Sequence, residues 1–324
     1  MKHPSRGWWG LLILSLFSGG VASAQSVGPK AYIGLFQDNA VAVFDTASSK
    51  VIDKIAVPAG PHGMAITPDG KTVYVSSEKS MVVSVIDTST DRVEQSITVG
   101  KTPHGLALTP DGATLLVAGY GSGAITFIST KDNTVLATVP VANPHTIAIA
   151  PDGKTAYIAS QKPQAPALAV LDLTKRALVG TFPLGGLPRA LNVSPDGKTV
   201  YFTEADSPVV HVWNIEAQHE AAGIPVQDSP HHVVFTADGG LALVVNQVPG
   251  TLSLIDPATA AAAASIKVGD LPHWIAVSAD GATAWITNEK SGDVSIVDLK
   301  SKTVTAIPVG NGPRKLVVQK TNPM

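Results

Sequence analysis

The chain is 324 residues long, 44% hydrophobic, 15% charged and only 5% aromatic, with 29 Gly and 24 Pro. That balance suits many short strands joined by tight turns better than long helices. There is no Cys, which excludes disulfides, thiolate metal sites, Cys nucleophiles and a lipidated N-terminal Cys. A formal net charge of −2 gives no general attraction to nucleic acid or anionic lipid.

The first element in chain order is a leader. Lys2 and Arg6 form a short basic start, Trp8 to Phe17 is an apolar run, and Ala22-Ser23-Ala24 has the small-x-small pattern of a cleavage site. This is the layout of a secretory signal peptide over 1–24, with an apolar run too short to span a bilayer stably. An uncleaved membrane anchor is the alternative. The mature chain is expected to begin near Gln25 and to be periplasmic or secreted. Without Lys2 and Arg6 it carries 21 basic residues against 25 acidic ones, a net charge of −4. No later stretch of about 20 apolar residues occurs, so no membrane span is expected after cleavage.

From Ala31 onward the chain repeats itself. Three strands are expected first: Ala31 to Phe36, Val41 to Phe44 and Val51 to Val57. A complete unit then runs from Pro61 to Gly100, and the next opens at Pro103. Hydrophobics alternate within the units, as in Thr72-Val73-Tyr74-Val75, and turn residues break the runs, which is the pattern of strands. Three markers count the units. A turn recurs six times, at Pro68-Asp69-Gly70, Pro110-Asp111-Gly112, Pro151-Asp152-Gly153, Pro195-Asp196-Gly197, Ala237-Asp238-Gly239 and Ala279-Asp280-Gly281. There Pro presets φ, Asp bonds its own backbone and Gly accepts φ > 0. A short polar residue ends each third strand, at Asp45, Asp87, Ser129, Asp172, Asn214, Asp256 and Asp298. A proline opens each first strand, at Pro61, Pro103, Pro144, Pro188, Pro230, Pro272 and Pro313.

Six turns against seven prolines is informative. The N-terminus supplies three strands with no first strand before them, and the C-terminus supplies a lone first strand, Lys315 to Gln319. Together they complete one sheet, close the ring and remove two exposed edges. The Ala-rich stretch Ala258 to Ala264 falls where other units turn, and reads as a surface turn and the start of a strand. The expectation is an all-β chain, a seven-bladed β-propeller of four-stranded antiparallel blades. Residues 25–324 form one domain, because units of this kind cannot bury their faces alone. A monomer is expected.

The units resemble those of the YVTN-family and lactonase-like seven-bladed propellers. Tyr74-Val75-Ser76-Ser77, Tyr157-Ile158-Ala159-Ser160 and Trp285-Ile286-Thr287-Asn288 stand where that family carries its name motif. The resemblance covers nearly the whole mature chain and implies the fold. It does not single out a function, since relatives include lactonases, electron-transfer subunits, cofactor-biosynthesis proteins and surface proteins.

The residue after each marker proline is His62, His104, His145, Arg189, His231, His273 and Arg314, so five of the mature chain's eight histidines occupy one repeat position. If they turn inward they form a ring at the channel mouth. The alternative is a repeated structural role, each His bonding a neighbouring blade's loop. As a binding ring, imidazole and guanidinium suit a carboxylate or phosphate. The five histidines alone suit a transition metal, copper or zinc, although the two arginines would repel a cation. Nitrous oxide reductase places a copper cluster among histidines at the mouth of a similar propeller, but this chain lacks the companion copper domain. His232 is expected to point away from its neighbour, and His211 and His219 to be structural or exposed. Glu78, Glu204 and Glu289, in loops on the same face, are candidates to orient the histidines or act as general bases, or are solvated charges. No Gly-x-Ser-x-Gly elbow is present, and Gly119-Tyr120-Gly121-Ser122-Gly123 sits between strands, not before a helix.

Three functions follow. The first is a non-enzymatic binding protein presenting the ring to an anionic small molecule, a cofactor or a periplasmic protein partner. The second is a lactonase-like hydrolase. The third is a periplasmic metal- or cofactor-handling protein of a copper, haem or quinone pathway. Because the candidate residues are repeated rather than differing between blades, binding is favoured over catalysis.

Overall fold

In the repeat from Pro61, the strands Pro61–Ile66, Thr72–Ser77, Val82–Asp87 and Arg92–Thr98 pair antiparallel in sequence order. The two middle strands are apolar and buried on both sides, with Val73, Tyr74, Val75 and Val83 at 1% exposure or less. The outermost strand is mostly polar and exposed, and of its residues only Ile97 is buried. This gradient of hydrophobicity from the inside outward is what a sheet wedged between two others requires. The structure, a computed structural model, describes Met1 and residues 28–319. The expected signal peptide lies outside the described residues.

Seven such four-stranded sheets form, with no helix among the described residues. Hence no helix of the described residues is long and apolar enough to cross a membrane. The inner strands touch one another in order from Pro61–Ile66 round to Pro313–Val318 and back, which closes the ring. The closing blade is built as expected: Pro313–Val318 pairs with Lys30–Leu35, joining Tyr32 to Val317 and Ile33 to Leu316.

The apolar core is seven separate layers, one at each junction between blades. One layer takes Tyr74, Val83, Val85 and Ile97 from one sheet and Leu106, Leu115, Val117 and Ile128 from the next. The other six are built alike. Each sheet therefore buries its faces only against its neighbours, and an isolated blade would have no core of its own.

The turn markers act as their chemistry dictates. Asp69 Oδ1 accepts from Lys71 N at 3.1 Å and from Thr67 Oγ1 at 2.6 Å, and the same pair of bonds recurs around Asp111, Asp196, Asp238 and Asp280. Gly70, at φ 70°, occupies the left-handed region that the turn demands. Asp45, Asp87, Asp172, Asn214, Asp256 and Asp298 each accept from backbone N–H groups two or three residues on. The Ala-rich segment enters the outer strand Ala261–Lys267 after a turn, as the repeat register required.

Candidate functional site

The post-proline residues lie at the start of the seven inner strands, and register brings them together. The ring centroids of His145 and His104 are 3.9 Å apart, and those of His104 and His62 3.8 Å. His62 and His273 follow at 5.4 Å, and His273 and His231 at 4.3 Å. Five imidazoles thus form one continuous run of contacts. Blades pack this closely at the centre because the next residue is small in two of them: a Cβ on Gly63 would overlap the His104 carbonyl oxygen, and one on Gly105 would lie 2.5 Å from that of His145.

Hydrogen bonds run round the ring in one direction. His104 Nδ1 lies 2.9 Å from the His145 carbonyl, His145 Nδ1 2.7 Å from that of Arg189, and His231 Nδ1 3.0 Å from that of His273. A carbonyl only accepts, so each Nδ1 carries the proton and donates. The pattern is not continued at His62 and His273; at the corresponding carbonyls Ser76 Oγ donates to His104 O at 2.6 Å, and Thr287 Oγ1 donates to Arg314 O. His273 Nδ1 is left buried without a partner. A structural role and a gathered ring, set against each other by the sequence, are therefore both present in these histidines.

The imidazoles are neutral. Burial, first of all, holds His62, His104 and His273 well below their ordinary pKa, with the fields of neighbouring ring residues adding to it. Desolvation pulls His145 down to about 4 and His231 to about 3. With Nδ1 protonated and the ring neutral, Nε2 of His104, His145 and His231 is a lone pair. The ring presents acceptors, and its fixed positive charge resides in two guanidiniums.

Those two differ. Arg314 donates to Glu289 Oε1 through Nε at 3.1 Å and Nη2 at 3.0 Å, and to Glu78 Oε2 through Nη1 at 3.4 Å. Its guanidinium also lies 3.5 Å from the Phe36 ring centroid. Arg189, between His145 and His231 in the repeat, uses Nη1 for both of its hydrogen bonds, to Ser229 Oγ at 2.9 Å and Gln247 Oε1 at 3.4 Å. Both partners are neutral. Among the described residues Nε and Nη2 of Arg189 have no acceptor.

The carboxylates separate likewise. Glu289 Oε2 comes within 4.0 Å of His273 Nε2, so Glu78 and Glu289 both border the ring. Glu204 does not join them: it is buried, and the imidazole it approaches is that of His211, at 3.6 Å. His211 also bonds Glu220 at 2.8 Å and stacks on Phe202, and His219 is exposed. Both fit the structural or exposed role expected of them.

With the geometry in place, the chain can be set beside known proteins. A YNCE-like β-propeller family model matches residues 26–107. Comparison with curated protein sequences finds no match. Solved structures of similar fold include Kuenenia stuttgartiensis hydrazine synthase, at 21% identity and TM-score 0.77, covering 88% of this chain and 99% of that one. A dihydro-haem d1 dehydrogenase is 18% identical, TM-score 0.67, covering 89% of this chain and 74% of that one. A Bacteroides fragilis protein named as a candidate 6-phosphogluconolactonase is 16% identical, TM-score 0.74, covering 91% and 99%. The chain is a seven-bladed propeller. At these identities the structural likeness speaks for the fold alone.

This propeller also has a second channel layer that the sequence reading passed over. The residues one step further on are Gly63, Gly105, Thr146, Ala190, His232, Trp274 and Lys315. Small side chains occupy four consecutive blades and large ones the remaining three. His232 stacks on Trp274 with centroids 3.4 Å apart, and the Lys315 ammonium lies 4.3 Å from the Trp274 ring centre. Lys315 then reaches across the channel to donate to Leu106 O at 3.2 Å. Together with His62, His104 and the glycines it lines a cavity of about 20 Å³. Desolvation lowers the Lys315 pKa to about 7. The signal was legible: three bulky polar or aromatic residues interrupt a position otherwise held by small ones.

Proposed function

We propose that the chain is an exported, non-catalytic binding protein whose ligand is a small hydroxycarboxylate seated at the channel mouth against Arg189. The observation that carries this reading is the half-buried guanidinium whose protein partners are both neutral. Desolvation lowers its pKa from the ordinary value while Asp206 acts in the opposite sense. A cation drawn out of water without a hydrogen-bonded counter-charge is costly to keep, and a carboxylate binding Nε and Nη2 in a fork would supply one. The flanking Nε2 lone pairs of His145 and His231 would accept from a hydroxyl on the same molecule. Export rests on the leader-like layout of residues 1–24.

The candidate bases give catalysis less support. Glu289 and Glu78 both accept from Arg314, so their oxygens are already engaged by a guanidinium of the chain itself. Glu204 faces His211, outside the ring.

Thermal-shift titration tests the reading, with malate compared against succinate, which lacks the hydroxyl. Malate at about 10 mM should raise the melting temperature, succinate should do so less, and Arg189→Met should abolish both responses. No response to either acid, or an unchanged response in the variant, removes Arg189 as the seat.

A further inference from the structure

We propose that His62, Glu78 and His104 form a binding site for one divalent transition-metal ion, zinc or copper, on the side of the ring opposite Arg189. One ligand atom from each residue lies within 4.8 Å of the other two. Two of the three are supplied by one blade, on the inner strand Pro61–Ile66 and just after Thr72–Ser77, and the third by the inner strand Pro103–Leu108 of the next.

The donor set is the right kind. Two imidazoles and a carboxylate suit zinc or copper, and three protein ligands leave a further position for water or a guest. Each imidazole is prepared for it. His104 donates its Nδ1 proton to the His145 carbonyl at 2.9 Å, which fixes the ring and leaves Nε2 as a lone pair. A hydrogen bond to the far nitrogen is how metal-binding histidines are generally oriented. His62 makes no side-chain hydrogen bond among the described residues, and it is buried with its ring 3.8 Å from that of His104. A neutral imidazole with no protein partner keeps a lone pair that an ion can take.

The geometry needs a short closure. A tetrahedral ion with bonds of about 2.0–2.1 Å holds its ligand atoms roughly 3.4 Å apart. Atoms now within 4.8 Å must approach by about 1.4 Å at most. Glu78 is the member free to move: its side chain is 29% exposed, and among the described residues its one ionic partner is Arg314 at 3.4 Å, a long contact. On metal binding Glu78 would turn from Arg314 to the ion, while Arg314 would keep its two bonds to Glu289. The guanidinium that should repel a cation from this ring is thus already engaged by a second carboxylate, and Phe36 covers its face at 3.5 Å.

The test uses the mature protein without an affinity tag. Zn(II) titrated by calorimetry should bind with one strong equivalent. Cu(II) in the same protein should give an electron paramagnetic resonance spectrum with hyperfine structure from two imidazole nitrogens. Glu78→Gln and His104→Gln should each weaken Zn(II) binding by more than about tenfold, since even loss of a residue that only orients a ligand costs that much. Circular dichroism confirms that the variants fold, and the partly exposed Glu78 carries the test if His104→Gln does not. Arg189→Met should bind Zn(II) as the parent does, so failure here and failure of the carboxylate seat are separate outcomes. Absence of a strong equivalent, binding unchanged in folded Glu78→Gln, or binding lost only on replacing His211 and His219 overturns the proposal.

Discussion

Arg314 and Arg189 stand at the same position of the repeat, yet Arg314 gives its guanidinium to two carboxylates and an aromatic face whereas Arg189 gives its to a hydroxyl and an amide. The difference arises in the loops. After its second strand the sheet beside Arg314 offers Glu289, and the blade on the other side offers Glu78. Around Arg189 the side chains that meet it are Gln247 and Ser229. One sector of the ring is therefore closed by hydrogen-bonded carboxylates, and the other holds a cation on which a carboxylate, Asp206, acts without a hydrogen bond. The repeat dictates where a charge stands, and the variable loops dictate whether it is satisfied.

The largest effect to expect concerns the imidazoles between these sectors, because the comparison requires them to be uncharged. Above pH 6.5 neither the folded nor the unfolded chain protonates these histidines, and stability does not change on their account. Below it the unfolded chain takes up protons that the folded ring refuses, until pH reaches about 4 at His145 and about 3 at His231. Stability therefore falls as pH falls. For His145 alone the loss at pH 5 is roughly 2 kcal/mol, and the five together should cost several times that. Urea unfolding at pH 7.5 and 5.0 measures it. The midpoint should drop sharply, and His145→Gln should reduce the drop. A midpoint that holds steady between the two pH values would mean charged imidazoles and a ring of the opposite character.

Next in size is the closed sector. Replacing Arg314 by Met keeps an aliphatic stem over Phe36 but leaves Glu289, 15% exposed, with no cation beside it and Glu78 released. Because the groups are only partly buried, the cost should fall near the lower end for broken buried pairs, about 2–3 kcal/mol. Adding Glu289→Gln should recover about half of it, since the stranded charge goes too. A loss below about 0.5 kcal/mol in the single variant would show that Arg314 is no more tied down than Arg189.

The number of blades, the closure by both chain ends and the position of the ring were legible because each rests on residues that recur: proline, the Pro-Asp-Gly turn, and the polar residue that bonds the following N–H groups. The protonation of the ring was not legible. Histidines beside arginines look basic, but mutual burial overrides the ordinary pKa of each, and burial of this kind is visible only once seven strands converge. Glu204 was grouped with Glu78 and Glu289 by loop register, yet it turns to His211, a strand residue whose direction no loop pattern reveals. Lys315 went unremarked because it breaks a pattern rather than repeating one.

Lys315 offers a smaller effect and a check on what an unpaired cation costs here. It bonds a single carbonyl and an aromatic face, and burial lowers its pKa to about 7. Lys315→Met should stabilise the protein by about 1 kcal/mol at pH 7, as replacing a desolvated charge by an apolar group often does. The unfolded chain's lysine titrates above pH 10, so raising pH from 7 toward 10 stabilises the parent but not the variant, and the advantage should shrink. A variant less stable than the parent across this range would mean that Trp274 and the Leu106 carbonyl outweigh the desolvation.

The smallest expected change is the most discriminating. Arg189→Met removes a guanidinium whose only hydrogen-bond partners among the described residues are Ser229 and Gln247. What is lost is two hydrogen bonds, one of them long, and what is gained is relief from holding a half-buried charge with no hydrogen-bonded counter-charge. These oppose one another, so the urea midpoint should move by less than about 0.5 kcal/mol equivalent, as for a substitution away from any structural network. The contrast with Arg314→Met is the point: the same chemical change at the same repeat position, with a large effect in one sector and almost none in the other. If Arg189→Met costs as much as Arg314→Met, Arg189 is a structural group satisfied by its neighbours, and the ring has no cation left for a ligand.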